Sequence, residues 1–202
     1  RAQALEQLGR FSEAADAFLQ VRTVSTDGRT IARALQRAAM LYAGPLDKPA
    51  EALRLCREII PRWPDEVAAE DALKLLRDIL DDAHDPGLLD ELTRLSDTLY
   101  RSEVAGSFAL YYRAELHEKA GQLAQALAVY DTLWKRFPNG PLFDDSLMGA
   151  AQLLRKQKRP AEAAERLERL QASFTGAIIV GHYNKLLLDE GAILLGEIYL
   201  ND

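Results

Sequence analysis

A tight turn, an amphipathic helix and a proline recur along this chain and constrain its fold more than any other feature. The clearest copy covers residues 121–138, in which Leu123, Ala126, Tyr130 and Leu133 recur at helical spacing. Side chains at this spacing share one face of a helix. Ala126 is small among larger neighbours, so a second helix can approach closely there. The stretch therefore predicts a helix packed against another helix.

The same unit appears at other places with a nearly constant period. Its turn residues are Gly9, Asp47, Gly121 and Lys158, which lie 38, 74 and 37 residues apart. The interval of 74 residues holds two units. A period of this length with two helices per unit indicates a helical-repeat fold.

These segments resemble tetratricopeptide repeats (TPRs), a family that pairs a first helix of small and aromatic residues with a second helix built around a small residue. Residues 192–199 resemble the first helix, with Gly196 at the close-packing site. In the second helices the small residue is matched by Ala14, Ala52, Ala126 and Ala163. The resemblance implies an all-α, right-handed, TPR-like helical solenoid of about five helix pairs and a final unpaired helix.

We expect one solenoid over residues 1–202, as a fragment of a longer protein. Its repeats are expected at approximately 1–26, 29–64, 65–101, 104–139 and 142–175, with a final helix at 183–200. Residues 65–101 match the repeat only in length and helical pattern, and they lack the alanine of the other second helices. Residues 175–184 exceed the usual linker, so they either extend the final helix at its start or form a protruding loop.

Two polar residues are predicted to cap helices within these repeats. Ser12 is expected to begin a helix over 12–25, and Asp47 a helix over 48–61, because short polar side chains accept hydrogen bonds from the first N–H groups of a helix. A further helix is expected over 65–83, with acidic residues in its first turn.

Composition excludes several classes of function. The formal net charge is −6, whereas a general binder of nucleic acids or anionic membranes needs a basic surface. No run of about 18 apolar residues is present, so we expect no membrane span. The single cysteine cannot form an internal disulfide and leaves the redox compartment open.

The titratable residues do not form a recognisable catalytic or metal site. His117-Glu118 begins like a zinc-protease helix, but Gly121 stands where the second histidine is required. The acidic loop at 81–85 lacks the alternating oxygen ligands, central glycine and distal glutamate of a calcium loop.

The remaining candidates favour structural roles. Asp144 and Asp145 are adjacent on a helix and point in different directions. Cys56 occupies a position that is apolar in the other repeats and is expected to be an inert core thiol. We therefore predict no enzyme activity, no cofactor and no metal.

One basic cluster stands out, although Glu162, Glu165 and Glu168 alternate with part of it. Its members are Arg155, Lys156, Lys158, Arg159, Arg166 and Arg169. It either binds an acidic partner or a phosphate-bearing surface, or it forms a solvated helix face.

The resemblance to TPRs implies a concave groove lined by the first helix of each repeat. The positions that match its lining are Gln36, Met40, Phe108, Tyr111, Glu115, Glu118, Met148, Gln152 and Arg155. Aromatic residues and methionines beside charges are typical of peptide anchors. Alternatively, Phe108 and Tyr111 pack against the irregular helix within 86–101.

The resemblance predicts a non-catalytic scaffold that binds a peptide or helix of another protein. Residues 136–141, Arg-Phe-Pro-Asn-Gly-Pro, are similar to linkers of bacterial envelope TPR proteins of the Tol–Pal and outer-membrane assembly types, which favours the periplasm or cell envelope. The rival interpretation is a regulatory or substrate-positioning domain of a larger signalling protein, transcription regulator or cell-wall enzyme. A third is self-association through Ile193, Leu195 and Tyr199 of the last helix.

Overall fold

The computed structural model describes residues 1–180 and 185–201, which form twelve helices and, within these ranges, no strand. The predicted all-α class is confirmed. The helices are α1 (Ala2–Gln7), α2 (Phe11–Leu19), α3 (Val21–Val24), α4 (Gly28–Ala43), α5 (Pro49–Arg62), α6 (Val67–Asp82), α7 (Leu88–Thr98), α8 (Ala105–Lys119), α9 (Leu123–Arg136), α10 (Phe143–Lys156), α11 (Pro160–Val180) and α12 (Lys185–Asn201).

The helices form two compact units, Arg1–Ala109 and Leu110–Asp202, whose boundary lies within α8. In unit 1, α4 packs against α2, α5 and α6. In unit 2, α10 packs against α9, α11 and α12. Helices that are neighbours in the chain therefore pack together. The contacts of α4 with α6 and of α10 with α12 also place equivalent helices of successive repeats side by side. This is the packing expected of TPR-like helical repeats.

Each repeat turns from its first to its second helix at a residue in the left-handed region. These residues are Gly9 (φ 71°), Asp47 (φ 49°), His84 (φ 53°), Gly121 (φ 70°) and Lys158 (φ 58°). His84 lies 37 residues after Asp47 and 37 before Gly121. It is therefore the turn residue of the third repeat, which the sequence pattern did not reveal.

Backbone hydrogen bonds explain why a left-handed residue is needed at these turns. The Gly121 N–H donates to the Glu118 carbonyl at 2.9 Å, and the Gln122 N–H donates to the His117 carbonyl at 2.8 Å. This pair is the Schellman motif, which satisfies the last carbonyls of a helix. The same pair of bonds follows the helices that end before Gly9, His84 and Lys158.

Alanine sets the close approach of the second helices in four of the five repeats. Ala14, Ala52, Ala126 and Ala163 each lie three residues after the start of their helix and are completely buried. In α7 the same position is Glu91, whose carboxylate accepts bonds of 2.8 and 2.7 Å from the Arg57 guanidinium of α5. The third repeat replaces a close apolar contact with an ion pair, which is why its pattern differs.

An aromatic ring packs closely against Gly149 in α10 but not against Gly196 in α12. A Cβ atom added at Gly149 in α10 would lie 2.8 Å from the Tyr130 ring of α9. No atom lies within 4 Å of a Cβ added at Gly196. The prediction for Gly196 is therefore wrong in this structure, because among the described residues no side chain packs against that side of α12.

Several predicted helix boundaries also differ from the structure. The helix expected over 12–25 is divided into α2 and α3, and it begins before Ser12, with Arg10 at its N-cap. Asp47 lies in the left-handed turn rather than at the N-cap, which is Lys48. In both repeats the turn at the left-handed residue, and not a polar side chain, determines where the second helix begins.

The long linker after the fifth repeat is partly helical. Residues 175–180 continue α11 to Val180, so this part extends the preceding helix rather than the final one. The rest of the predicted insertion, including His182, lies outside the described residues.

Candidate functional site

An open cleft of about 1230 Å³ lies in unit 1. Its walls come from α1, α2, α3 and the start of α6, and α4 contributes the largest share of its lining. Small-molecule pockets have volumes of roughly 300–1,000 Å³, so this cleft is better suited to a segment of polypeptide. Two of the predicted groove residues, Gln36 and Met40, line it.

Exposed apolar side chains line this cleft. Val24 of α3, Met40 of α4 and Val67 of α6 are all exposed, and 46 % of Met40 is accessible to solvent. Between them lie the small buried residues Ala34 and Ala68. Exposed apolar side chains gathered in a concave surface are a feature of protein-binding sites.

Most charged residues of the cleft are paired, but within the described part of the chain the side chains of Arg33 on α4 and Arg1 are not. Arg29 pairs with Glu66 at 2.9 Å, and the Gln36 amide donates to Asp71 at 3.1 Å. Arg37 pairs with Glu6. Arg33 is exposed, and within the described part of the chain no hydrogen bond or ion pair involves it. Its guanidinium is therefore available to a carboxylate of a ligand.

Arg33, Val67 and Asp71 were missed by the sequence analysis. Val67 and Asp71 were missed because groove positions were carried over only from repeats whose turn residue was recognised, and α6 belongs to the repeat that turns at His84. The spacing could have shown this, because Asp71 lies 35 residues after Gln36 and occupies a similar place in the next repeat. Arg33 lies on α4 in a recognised repeat, but it was not among the positions matched to the groove lining.

Phe108 and Tyr111 belong to different units. Phe108 is half-buried in unit 1, whereas Tyr111 in unit 2 packs edge to face on Tyr130, with ring centroids 5.8 Å apart. Burial raises the pKa of Tyr111 to about 12, with a contribution from the nearby negative charge of Glu115. The Tyr111 ring thus packs within unit 2.

The groove residues predicted in unit 2 are largely engaged within that unit. Glu118 pairs with Lys156, and Arg155 pairs with Glu197 of α12 at 3.1 Å. Glu115 is half-buried and Gln152 is exposed.

Met148 was predicted to line the groove, but the structure places it in the core. Only 4 % of it is exposed, and it packs in the core of unit 2 with Leu188 and Ile198 of α12. The final helix covers the position that the repeat pattern assigned to the groove surface, so the Met148 side chain is not available to a partner in this structure.

The basic cluster is mostly neutralised by contacts within unit 2. Besides the pairs of Arg155 and Lys156, Arg159 pairs with Glu162 at 2.6 Å. Arg166 donates two bonds of 3.1 Å to Asp131. The Arg169 guanidinium lies 4.5 Å from the centre of the Trp134 ring. Arg166 and Arg169 therefore link α11 to α9, whereas Arg155 and Lys156 pair with residues of α12 and α8.

Asp131 on α9 is the carboxylate that accepts the two hydrogen bonds from Arg166 of α11. Burial favours its neutral form, but hydrogen bonds from Arg166 and from Trp134 Nε1 outweigh this effect and hold the pKa of Asp131 below its usual value. Arg166 is itself mostly buried, with 12 % of its side chain exposed. The ion pair lies between two repeats and is shielded from solvent.

The other titratable candidates have structural surroundings. Cys56 is completely buried, and burial raises the pKa of its thiol to about 12. His117 Nδ1 lies 2.7 Å from Gln122 Oε1 across the turn of the fourth repeat. The described residues contain no group of histidine, cysteine and acidic side chains arranged to hold a metal ion. No helix in the described ranges is long and apolar enough to cross a membrane.

Comparison with protein families supports the repeat assignment in unit 2 and at its boundary. A family model described as Tetratricopeptide repeat matches residues 108–140 and 145–176, which correspond to the fourth and fifth repeats. No curated protein matches the chain. TPRs generally mediate protein–protein interactions and are typically non-catalytic. The comparisons do not support the Tol–Pal or envelope subtype.

Proposed function

We propose that this chain is a non-catalytic scaffold that binds a peptide segment or helix of another protein, with the cleft of unit 1 as its main binding surface. The observation that carries this proposal is the combination of exposed Met40 and Val67 with the unpaired Arg33 in one concavity. Apolar anchors supply affinity, and a guanidinium fixes the orientation of a carboxylate.

The cleft is framed by packed helices, which favours binding without a large conformational cost. Ala34 and Ala68 in its walls are buried in the core, and the ion pair between Arg29 and Glu66 links α4 to the start of α6. A surface that is already ordered limits the entropic cost of binding to the ligand.

The groove residues of unit 2 have a smaller role in this proposal. Gln152 is exposed, and Arg155 and Glu118 could exchange their present ion pairs for contacts with a ligand. Met148 is not included. A setting in the bacterial cell envelope rests only on the likeness of residues 136–141 to envelope-protein linkers.

A selection from a displayed peptide library tests the proposal. We expect the chain to enrich peptides that combine large apolar residues with aspartate or glutamate. Binding of these peptides should weaken about tenfold or more in Met40→Glu and in Arg33→Glu, because each change places a negative charge in the cleft.

Arg54→Glu is the matched control. Arg54 is exposed on α5, and among the described residues it pairs with Glu51 of the same helix and does not line the cleft, so reversing its charge should leave binding unchanged. Selected peptides that bind Met40→Glu and Arg33→Glu as tightly as the parent would overturn the assignment of the cleft. Loss of binding in Gln152→Glu alone would move the site to unit 2.

A further inference from the structure

The exposed apolar side chains of this protein are concentrated on two surfaces. Nine large hydrophobic residues are exposed in the described part of the chain. Val24, Met40 and Val67 line the unit 1 cleft, and the four on α12 are Leu186, Ile193, Tyr199 and Leu200. Only Leu8 and Tyr100 lie elsewhere. Two concentrated apolar surfaces on one chain raise the question whether they bind each other in separate copies.

The exposed face of α12 is apolar and acidic. Leu186, Ile193 and Leu200 are spaced seven residues apart, which places them on one side of the helix over four turns. Asp189 and Glu190 are exposed three and four residues after Leu186, on the same side. Residues 186–200 contain no lysine or arginine. This is the pattern of a helix that inserts apolar anchors into a groove.

Glu197 and Tyr199 of α12 have partners in unit 2, and these contacts show which side of the helix remains exposed. Glu197 pairs with Arg155, and the Tyr199 hydroxyl donates to Glu168. Leu195, which the sequence analysis assigned to the exposed side, is half-buried and packs against the core of unit 2. The corrected face therefore consists of Leu186, Ile193 and Leu200 with the carboxylates of Asp189 and Glu190.

We propose that α12 of one copy docks in the unit 1 cleft of a second copy. The inference rests on the proposed function of the cleft and names its occupant as a second copy of this chain. The apolar side chains of α12 contact Met40, Val67 and Val24. The carboxylates of Asp189 and Glu190 face Arg33, a guanidinium of the cleft that has no partner among the described residues. Opposite charges beside apolar anchors determine the register of such a contact.

This contact joins two different surfaces, so each copy offers one donor helix and one acceptor cleft. Such heterologous contacts build rings when the rotation closes and open filaments when it does not. Association therefore gives either a closed ring, of which a dimer with reciprocally exchanged helices is the smallest, or a filament that lengthens as the protein concentration rises. A peptide from another protein that occupies the cleft would compete with α12 and dissociate the assembly.

Sedimentation velocity of the 202-residue chain over a wide range of concentration tests the apolar part of the contact. We expect the mean sedimentation coefficient to rise with concentration in the parent. Ile193→Glu should remove this rise. The matched control is Leu8→Glu, which changes an equally exposed apolar residue outside both surfaces and should associate like the parent.

A charge exchange tests the electrostatic part. Arg33→Glu alone, and Asp189→Arg with Glu190→Arg, should each raise the dissociation constant about tenfold or more. Mixing these two proteins should restore association, because each acidic surface then meets a basic one. Circular dichroism confirms that the variants are folded.

Three results would overturn the proposal: a parent that stays monomeric at every concentration, association that Arg33→Glu and Ile193→Glu leave unchanged, or a mixture that does not recover. A monomeric parent that still binds library peptides through Met40 and Arg33 would exclude α12 as the occupant while retaining the peptide-binding function. A chain that neither associates nor binds peptides would remove both.

Discussion

At the scale of single residues, the left-handed turn positions determine where each repeat reverses direction. Glycine adopts this conformation without steric cost, whereas a residue with a Cβ atom is strained by about 1–2 kcal/mol. The chain uses glycine at positions 9 and 121 and bears the strain at Asp47, His84 and Lys158. The turn geometry is thus kept even where the residue type is unfavourable.

Gly121 and Lys158 provide a paired test of this strain in unit 2. Gly121→Ala should lower the free energy of unfolding by about 1–2 kcal/mol through the backbone alone, because no atom lies within 4 Å of the added Cβ. Lys158→Gly should raise it by up to about 1 kcal/mol. Urea denaturation of both variants measures the effect. Equal stability of Gly121→Ala and the parent would contradict the assigned turn geometry.

Cys56 is expected to be unreactive in the folded protein. A pKa of about 12, compared with about 8.5 for a free thiol, lowers the thiolate fraction at pH 8 roughly a thousandfold. Alkylation by iodoacetamide, followed by intact mass, should therefore be very slow until denaturant is added. Rapid modification of the native protein would show that α5 is not packed as described.

At the scale of elements, close helix packing requires a glycine at position 149 in α10 but not at position 196 in α12. Gly149→Ala brings a methyl group against the Tyr130 ring, whereas Gly196→Ala places it in open space. We expect Gly149→Ala to be less stable than Gly196→Ala by about 1–3 kcal/mol, the usual cost of overpacking. Both glycines lie inside helices of unit 2, so the gain in helix propensity on changing glycine to alanine is the same in both variants and does not affect the difference between them. Equal midpoints in urea would contradict the close contact of α9 with α10.

The ion pair between α9 and α11 predicts a pH-dependent contribution to stability. The pKa of Asp131 is lowered in the folded state, so its contribution is present above the usual aspartate pKa of about 3.9 and is lost as the pH falls through the folded value. Asp131→Asn should cost about 2 kcal/mol near neutral pH, because it weakens two charge-assisted hydrogen bonds. Thermal melts at several pH values should show this difference shrink in acid.

Asp145 should affect stability with the opposite pH dependence to Asp131. Burial raises its pKa, so ionised Asp145 destabilises the fold and protonation relieves this cost as the pH falls through the raised value. Asp145→Asn should therefore be more stable than the parent near neutral pH, and its advantage should disappear in acid. If Asp131→Asn and Asp145→Asn both raised or both lowered the melting temperature near neutral pH, the two carboxyl groups would not have pKa values shifted in opposite directions.

At the scale of the whole molecule, the repeat was readable from the sequence because its packing requires particular residues. The buried alanines and the two turn glycines predicted four repeats and the all-α class. The third repeat was obscured because it lacks both the turn glycine, replaced by His84, and the small residue, replaced by Glu91, whereas the repeats that turn at Asp47 and Lys158 keep their alanines. The backbone accepts both substitutions, one through strain and the other through the pair with Arg57, but neither produces a recognisable pattern.

The candidate site was only partly predictable for the same reason. Gln36 and Met40 were found in recognised repeats, whereas Val67 and Asp71 lie in the obscured one. Met148 was assigned to the groove because its repeat position is exposed when no further helix covers it. Its burial depends on contacts with α12, which the pattern of a single repeat does not specify.

The two methionines allow the most direct test of the binding surface. The chain contains only Met40, in the unit 1 cleft, and Met148, in the core of unit 2. With ¹³C-labelled methionine methyl groups, NMR gives one reporter at the proposed site and one internal control. Titration with a peptide selected from the library should shift the Met40 signal and leave that of Met148 unchanged. Saturable binding that shifts Met148 and not Met40, or that shifts neither, would contradict the account.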